Sequence, residues 1–166
     1  MNVSFAPLRP DAAQYLSEHI GVDYRYGAPF HAPNWFCVTA RDDEGGIAGV
    51  LACEFKTWFD VQFSTAISDP RCMSKRLLRS MFTALFSQAI RITAYVDTDN
   101  RRAQKQMKRL GFVYEGFCRC GINGVRDAYI YGMLKGDCKF LPGYAGGTTR
   151  TLELGYGQGS DTSRPV

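Results

Sequence analysis

The most regular pattern of hydrophobic and polar positions along the chain lies in residues 91–133. Residues 92–96 alternate between the two classes, which predicts a half-buried strand. A polar turn follows, in which Asp99 or Asn100 can cap a helix by accepting its free backbone N–H groups. Three apolar residues then recur on one stripe of that helix, which ends at Gly111: Ala103, Met107 and Leu110.

Similar periods predict the other elements. Strands are expected at residues 2–8, 35–40, 47–55, 58–68, 112–118 and 127–134. One helix is expected to begin at Pro10 and Asp11, with Gln14 at the reciprocal position of a capping box, and a second covers residues 74–89. Short polar turns connect the strands between residues 35 and 68, which predicts that these strands are antiparallel. Helices lie between several of the later strands. The pattern therefore predicts an α/β (α+β) fold, in which a mixed, mostly antiparallel central sheet carries helices on both faces.

The length of 166 residues fits one domain, and a hydrophobic content of 45% is enough for a substantial core. We assign residues 1–141 to that domain. Residues 142–166 are rich in Gly, Ser and Thr and lack an apolar period, so we expect a flexible C-terminal tail. The alternative is a strand at residues 151–154 that docks on the domain or on a second copy of the chain, which leaves a homodimer open.

Charge and cysteine content restrict the ligands. The net charge is +4, and Lys and Arg gather at two predicted helices. These clusters suggest a phosphate-bearing ligand, although solvated helix faces would show the same pattern, and a nucleic acid is not expected. The six cysteines form no C-x-x-C pair and lie away from both histidines. We therefore expect reduced, mostly buried thiols and no metal site.

The sequence also predicts the cellular compartment of the protein. No stretch is long and apolar enough to span a bilayer. The first residues lack the basic-then-apolar order of a signal peptide. We therefore expect a cytoplasmic protein that does not bind to membranes.

The second half of the chain carries an ordered set of short motifs. In chain order they are Asn100, Ala103, Leu110-Gly111-Phe112, Glu115-Gly116, Asp127 and Tyr131. This set resembles the Gcn5-related N-acetyltransferase superfamily, and the ending at residues 131–134 is similar to its small phage and prophage members. The resemblance implies transfer of an acetyl group from acetyl-CoA to a primary amine of a protein lysine, a protein N-terminus or a small molecule. The alternative is a non-catalytic member of the fold that binds a host or partner protein.

The resemblance implies a cofactor loop at residues 69–77. Arg71 matches the first position of the family's phosphate-binding loop, whereas Ser74 and Arg76 stand where the family has glycines. Backbone N–H groups at the helix N-terminus can still hold phosphates, with Lys75 and Arg76 adding charge. Alternatively, the larger side chains fill the cradle and acetyl-CoA binds weakly or not at all. The family's pantetheine arm would run along the backbone of Thr65, Ala66 and Ile67 and near Asn100.

The resemblance also guides the choice of catalytic residues, because acetylation of an amine needs a group that takes or relays a proton. Family members that acetylate histones carry a glutamate early in the strand before the loop. The matching position here is Asp60, whose shorter side chain would need a bridging water. Glu54 is the second candidate, and either acid would equally suit a solvated strand end. The family's proton-donating tyrosine falls at Met107, so Tyr131, Tyr129 or a water would have to replace it.

Overall fold

The computed structural model describes residues 2–20 and 35–144. Within these ranges the strands are β1 (Asn2–Ala6), β2 (Trp35–Arg41), β3 (Ile47–Phe55), β4 (Asp60–Ile67), β5 (Arg91–Asp97), β6 (Val113–Ile122) and β7 (Arg126–Leu134). The α-helices are α1 (Pro10–Ile20), α2 (Lys75–Phe86) and α3 (Arg101–Leu110). Short 3-10 turns follow β4 and β7, at Pro70–Met73 and Lys135–Asp137.

All of these strands belong to one sheet in the order β1-β2-β3-β4-β5-β7-β6. β4 and β5 pair in parallel, and the other described pairs are antiparallel. α2 lies in the crossover that the parallel pair requires, whereas a tight turn joins β2 to β3. In that turn the Asp42 carboxylate accepts hydrogen bonds from the N–H groups of Glu44 and Gly46. The predicted mixed, mostly antiparallel sheet is confirmed.

The two faces of the sheet are covered by different helices. On the front face, α1 packs small apolar residues against β2, β3 and β4. On the back face, α2 and α3 cover the central strands with larger side chains, including Leu78, Phe82, Leu85, Met107 and Leu110. Each fully buried Leu or Phe contributes about 1.5–3 kcal/mol, so the back-face core supplies most of the hydrophobic stabilisation. Helices on both faces, as predicted, are confirmed.

Side-chain caps define where α2 and α3 begin. The Oδ1 atom of Asn100 accepts a hydrogen bond from the Ala103 N–H group at 2.9 Å, and the Oγ atom of Ser74 accepts one from Leu77 at 3.3 Å. α3 stops at Gly111, whose φ of +103° lies in the left-handed region that favours glycine. The predicted cap and stop of α3 are therefore confirmed.

Two local predictions are wrong. β4 begins at Asp60, two residues later than predicted, because the Thr57 hydroxyl accepts hydrogen bonds from the N–H groups of Phe59 and Asp60 and holds a turn. Gln14 does not close a capping box. Its side-chain amide donates instead to Glu18, one turn further along α1, at 2.9 Å.

Strand β6 lies at one edge of the described sheet and is irregular. Its register with β7 shifts between Tyr114 and Gly116, where Glu115 forms a bulge, and again beyond Cys118. Near the second shift, Cys120 has a φ of +53°. Such bulges interrupt the alternation of side chains and redirect individual residues. As a result, the side chain of Glu115 lies over β7.

After β7 the chain packs back onto the rear core. Cys138 is buried, and the Phe140 ring stacks on Phe82 of α2 with centroids 5.3 Å apart. The predicted strand at residues 151–154, and the predicted tail beyond residue 144, lie outside the described residues.

Two further findings concern disulfide bonds and membrane-spanning helices. The six cysteines all lie in the described part of the chain, and no disulfide bond joins them. Among the described helices, none is long and apolar enough to cross a membrane.

Candidate functional site

Strands β4 and β5 diverge after a short paired stretch. Three residue pairs join them, from Asp60–Arg91 to Gln62–Thr93. Residues 63–67 of β4 continue beside β3 but have no partner in β5. Their backbone edge toward β5 can therefore pair with an extended ligand that carries amide groups. This opening is the centre of the candidate site.

The three β4 residues predicted to contact a pantetheine arm lie in this diverging segment. Thr65 and Ile67 face the back, where they line an apolar cavity of about 30 Å³ beside α2. Ala66 faces the front and is buried against α1. The Thr65 hydroxyl donates to the Val50 carbonyl at 3.2 Å. Because these side chains already have protein partners, the segment offers its backbone to a ligand.

The loop after β4 is held firmly against β3. The N–H groups of Ser68 and Asp69 both donate to the Ala48 carbonyl at 3.1 Å. Cys72 packs directly over Gly49, where a Cβ atom would lie 3.1 Å from the Cys72 sulfur. The glycine therefore allows a close approach that fixes the start of the loop leading to α2.

The N-terminus of α2 presents backbone donors and two cations. Ser74 caps the helix with φ −60° and ψ 145°, a conformation open to any residue, so serine replaces the family glycine without backbone strain. The N–H groups of Lys75 and Arg76 have no acceptor inside the helix, and both residues are exposed. The first turn of α2 contains no acidic residue. This end of the helix can therefore bind a phosphate.

Arg71, the predicted first residue of the cofactor loop, is paired within the protein. Its Nε atom donates to Asp69 at 2.8 Å, and a terminal nitrogen lies 2.6 Å from the same carboxylate. The hydrogen bond with Asp69 raises the pKa of Arg71, and the same bond lowers the pKa of Asp69. A phosphate would have to compete with Asp69 for this guanidinium.

Asp60 stands at the start of the paired stretch and faces the front. Its carboxylate accepts a hydrogen bond from the Thr93 hydroxyl, at 2.8 Å and 3.1 Å to its two oxygens. The Nε atom of Arg91 lies 3.9 Å away. Asp60 precedes Gln62, the last paired residue, by two positions, or about 7 Å along a strand. A bridging water would be needed to connect the carboxylate to the opening.

Glu54 lies on the same face as Asp60, on the neighbouring strand. The register places it opposite Gln62 of β4. Its carboxylate is 2.6 Å from the Lys56 ammonium group, so it is already paired with a cation. The structure thus brings the two predicted acids to one side of the sheet, each beside a basic residue.

Tyr131 lies on the opposite, back face. β7 pairs it with Ala94, the first residue of β5 beyond the stretch that pairs with β4. The residue is 2% exposed, and its ring contacts that of Tyr114 with centroids 5.9 Å apart. Burial raises the pKa of Tyr131, and the neighbouring Tyr129 and Tyr114 raise it further. This shift favours the neutral, proton-carrying form of Tyr131, which is separated from the opening by strand β5.

Met107 and Asn100, which stand at positions of family motifs, both have structural roles in this protein. Met107 is buried in the back-face core and carries no proton to donate. Asn100 uses its side-chain oxygen to cap α3, at the turn that follows β5. Its contact with a pantetheine arm remains a prediction.

Three polar residues around Asp60 were not predicted as site residues, namely Arg91, Thr93 and Glu115, although Glu115 belongs to the family motif. The alternation in residues 92–96 placed Thr93 on the polar side of β5, which was a usable signal. Their mutual contacts depend on register across four strands, and sequence periodicity does not contain that register.

Comparisons with known proteins bear on the fold. No protein-family model and no curated protein matches the sequence. Solved structures do match, among them the spermidine/spermine N-acetyltransferase SpeG from Vibrio cholerae, with a TM-score of 0.60 and 16% identity over 80% of this chain and 95% of that one. The protein smu.2055 from Streptococcus mutans has a TM-score of 0.60 and 19% identity over 81% and 99%.

A third match is the ribosomal-protein-S5-alanine acetyltransferase from Vibrio fischeri, with a TM-score of 0.56 and 18% identity over 84% of this chain and 96% of that one. At such identities the likeness concerns the fold. The chain therefore has the fold of the Gcn5-related N-acetyltransferases.

Proposed function

We propose that this protein is an acetyl-CoA-dependent N-acetyltransferase that acts on a primary amine. The observation that carries the proposal is the opening between β4 and β5, since the chain leads from it directly to the N-terminus of α2. A long ligand with amides at one end and phosphates at the other matches this layout. Two solved structures of similar fold are acetyltransferases by name, one of them an N-acetyltransferase, which supports the same class of reaction.

The cofactor phosphates would be held at the start of α2. The backbone N–H groups and side chains of Lys75 and Arg76 are the donors, and each charge-assisted hydrogen bond is worth about 1.5–3 kcal/mol. Arg71 would contribute less, because Asp69 already binds its guanidinium. Backbone of residues 65–67 would pair with the amide-bearing arm, and Asn100 would keep the turn after β5 in place.

The protein's part in the reaction is to move protons on both sides of the sheet. Acetyl-CoA, when bound, supplies an activated thioester. On the front face, Asp60 accepts the proton of the acceptor amine through a water, while the Thr93 hydroxyl orients its carboxylate. On the back face, the Tyr131 hydroxyl would supply the proton that the departing thiolate of the cofactor needs. For both residues to act on one group, that group would have to lie in the gap between the strands. Glu54 is the second candidate base.

The experiment measures acetyl transfer by purified protein to polyamines, lysine peptides and peptide N-termini. With an accepted amine, Asp60→Asn should lower turnover by about 10²-fold or more, because general-base catalysis contributes about 10²–10⁴-fold. Glu54→Gln is the matched control, and its turnover should stay near wild type. Acetyl-CoA affinity, measured in parallel, should be unchanged in both. If both variants lost turnover equally, the experiment would not favour Asp60 over Glu54 as the base.

The alternative is a non-catalytic protein of the same fold that binds a partner protein. The replacement of the family tyrosine by the buried Met107 favours it. A melting-temperature measurement with acetyl-CoA distinguishes the two proposals. Millimolar acetyl-CoA should raise the melting temperature of an enzyme, since a ligand that binds the folded state stabilises it by mass action. An unchanged melting temperature would favour the non-catalytic protein.

A further inference from the structure

Glu115 reaches from the edge strand β6 across β7 to Arg91 on β5. Both of its carboxylate oxygens accept hydrogen bonds from the Arg91 guanidinium, and the first of these measures 2.9 Å. The Nε atom of Arg91 donates to the Thr93 hydroxyl oxygen at 3.1 Å. The guanidinium is thus held by residues on β5 and β6.

Gly132 of β7 makes this crossing possible. The register places Gly132 between Thr93 of β5 and Val113 of β6. A Cβ atom at position 132 would overlap the Glu115 carboxylate. The bulge at Glu115 directs the side chain over this open position. A glycine and a bulge on two different strands therefore serve a single side-chain contact.

Arg91 has two carboxylates within reach. Its terminal nitrogens bind Glu115, while its Nε atom is 3.9 Å from Asp60. A bidentate guanidinium–carboxylate pair is far stronger than one contact at that distance. If Glu115 lost its charge, the guanidinium would turn to Asp60 and form the pair there. A carboxylate bound in that way is a poor proton acceptor.

We propose that Glu115 is a positioning residue that keeps the Arg91 guanidinium off the Asp60 carboxylate. The inference rests on the proposed function, in which Asp60 accepts the amine proton. Thr93 then remains the hydrogen-bond donor that orients Asp60. The edge strand thereby controls a carboxylate three strands away.

The test uses four variants of the full chain. Glu115→Gln removes the charge, and Gly132→Ala displaces the carboxylate. Gly116→Ala is the matched control, because a Cβ atom at that strand glycine meets nothing within 4 Å. The fourth, Arg91→Gln combined with Glu115→Gln, removes the competing cation as well. For each variant, kcat, KM for the amine and acetyl-CoA affinity are measured.

Glu115→Gln and Gly132→Ala should each lower kcat about tenfold or more, with acetyl-CoA affinity unchanged. Gly116→Ala should match wild type. The double variant should recover most of the lost kcat, which a merely structural clamp would not allow, because the double variant has lost the clamp as well. A double variant as slow as Glu115→Gln, or a normal kcat in Glu115→Gln, overturns the inference.

Failure of the proposed function gives a different result. A wild-type protein that transfers no acetyl group to any amine overturns the proposed function and, with it, the role of Glu115 toward Asp60. An active wild type in which Asp60→Asn is slow but Glu115→Gln is normal overturns the inference alone.

Discussion

The hydroxyl of Thr93 donates to the carboxylate of Asp60 across the paired ends of β4 and β5, at 2.8 Å and 3.1 Å to the two oxygens. These strands share three paired positions before they separate, and this bond lies among them on the front face. The bond gives Asp60 a neutral donor that fixes its direction. A neutral donor orients a carboxylate without cancelling its charge.

Replacing Thr93 by valine should therefore lower turnover less than Asp60→Asn does. Thr93→Val keeps the shape of the side chain and removes the hydroxyl, so Asp60 keeps its charge but loses its orientation. We expect a fall in kcat of about tenfold, below the full general-base contribution. Thr93→Ser retains the hydroxyl and is the matched control. A valine variant with wild-type kcat would remove Thr93 from the mechanism.

Acetyl-CoA binding should depend on Lys75 and Arg76 more than on Arg71. Losing one charge-assisted hydrogen bond costs about 1.5–3 kcal/mol, or roughly 10- to 150-fold in affinity. Lys75→Ala and Arg76→Ala should each approach that loss, whereas Arg71→Ala should cost little because Asp69 holds the guanidinium. Calorimetry at low and high salt provides the measurement. A larger loss in Arg71→Ala would show that the ligand displaces Asp69.

Removing the hydroxyl of Tyr131 should slow the reaction without unfolding the protein. Tyr131→Phe keeps the buried ring, so we expect kcat to fall about 10²-fold while Tyr129→Phe remains close to wild type. Burial raises the pKa of Tyr131, so its hydroxyl keeps its proton to a higher pH than an ordinary tyrosine does. Any alkaline decline in kcat caused by Tyr131 should therefore lie at a higher pH than the titration of an ordinary tyrosine.

The raised pKa of Tyr131 also predicts how the stability of the fold changes at alkaline pH. A group whose folded pKa exceeds its unfolded value stabilises the fold below the unfolded pKa, and that contribution is lost as pH rises through the folded pKa. Wild-type protein should therefore lose stability above pH 10 more steeply than Tyr131→Phe. Parallel alkaline slopes in urea unfolding would contradict this.

Truncation should distinguish the contribution of the domain to thermal stability from that of the tail. A chain ending at Leu141 should melt near the wild-type temperature, since we expect residues 142–166 to bury little. A chain ending at Gly136 loses the buried Cys138 and the Phe140 ring that stacks on Phe82. That loss is about 3 kcal/mol, or roughly 6–12 °C in melting temperature. A large drop already at Leu141 would mean that the tail docks on the domain.

Periodicity was sufficient for most of the fold because the relevant interactions are local. The cap at Asn100 and the stop at Gly111 each involve neighbours within four residues. β4 was predicted too long because Thr57 holds its turn through a side-chain hydrogen bond that periodicity ignores. Apolar Trp58 and Phe59 extended the pattern misleadingly.

The candidate site was less predictable for a physical reason. Asp60 was identified through the family motif, but its surroundings come from β5 and β6, at sequence separations of about 30 and 55 residues. The Glu115 contact with Arg91 needs a bulge and a glycine on different strands. Each of these is unremarkable alone, and sequence periodicity gives no reason to combine them.

The bulge in β6 has a consequence for how copies of the protein can associate. An edge strand with regular spacing is a template onto which another chain can add, which is how sheets grow into aggregates. β6 exposes Val113 and Phe117, yet its register breaks on both sides of the stretch from Gly116 to Cys118. A neighbouring strand would find few consecutive positions to match. If this protein forms dimers, we expect them to meet through side-chain surfaces, and this edge should resist growth into fibrils.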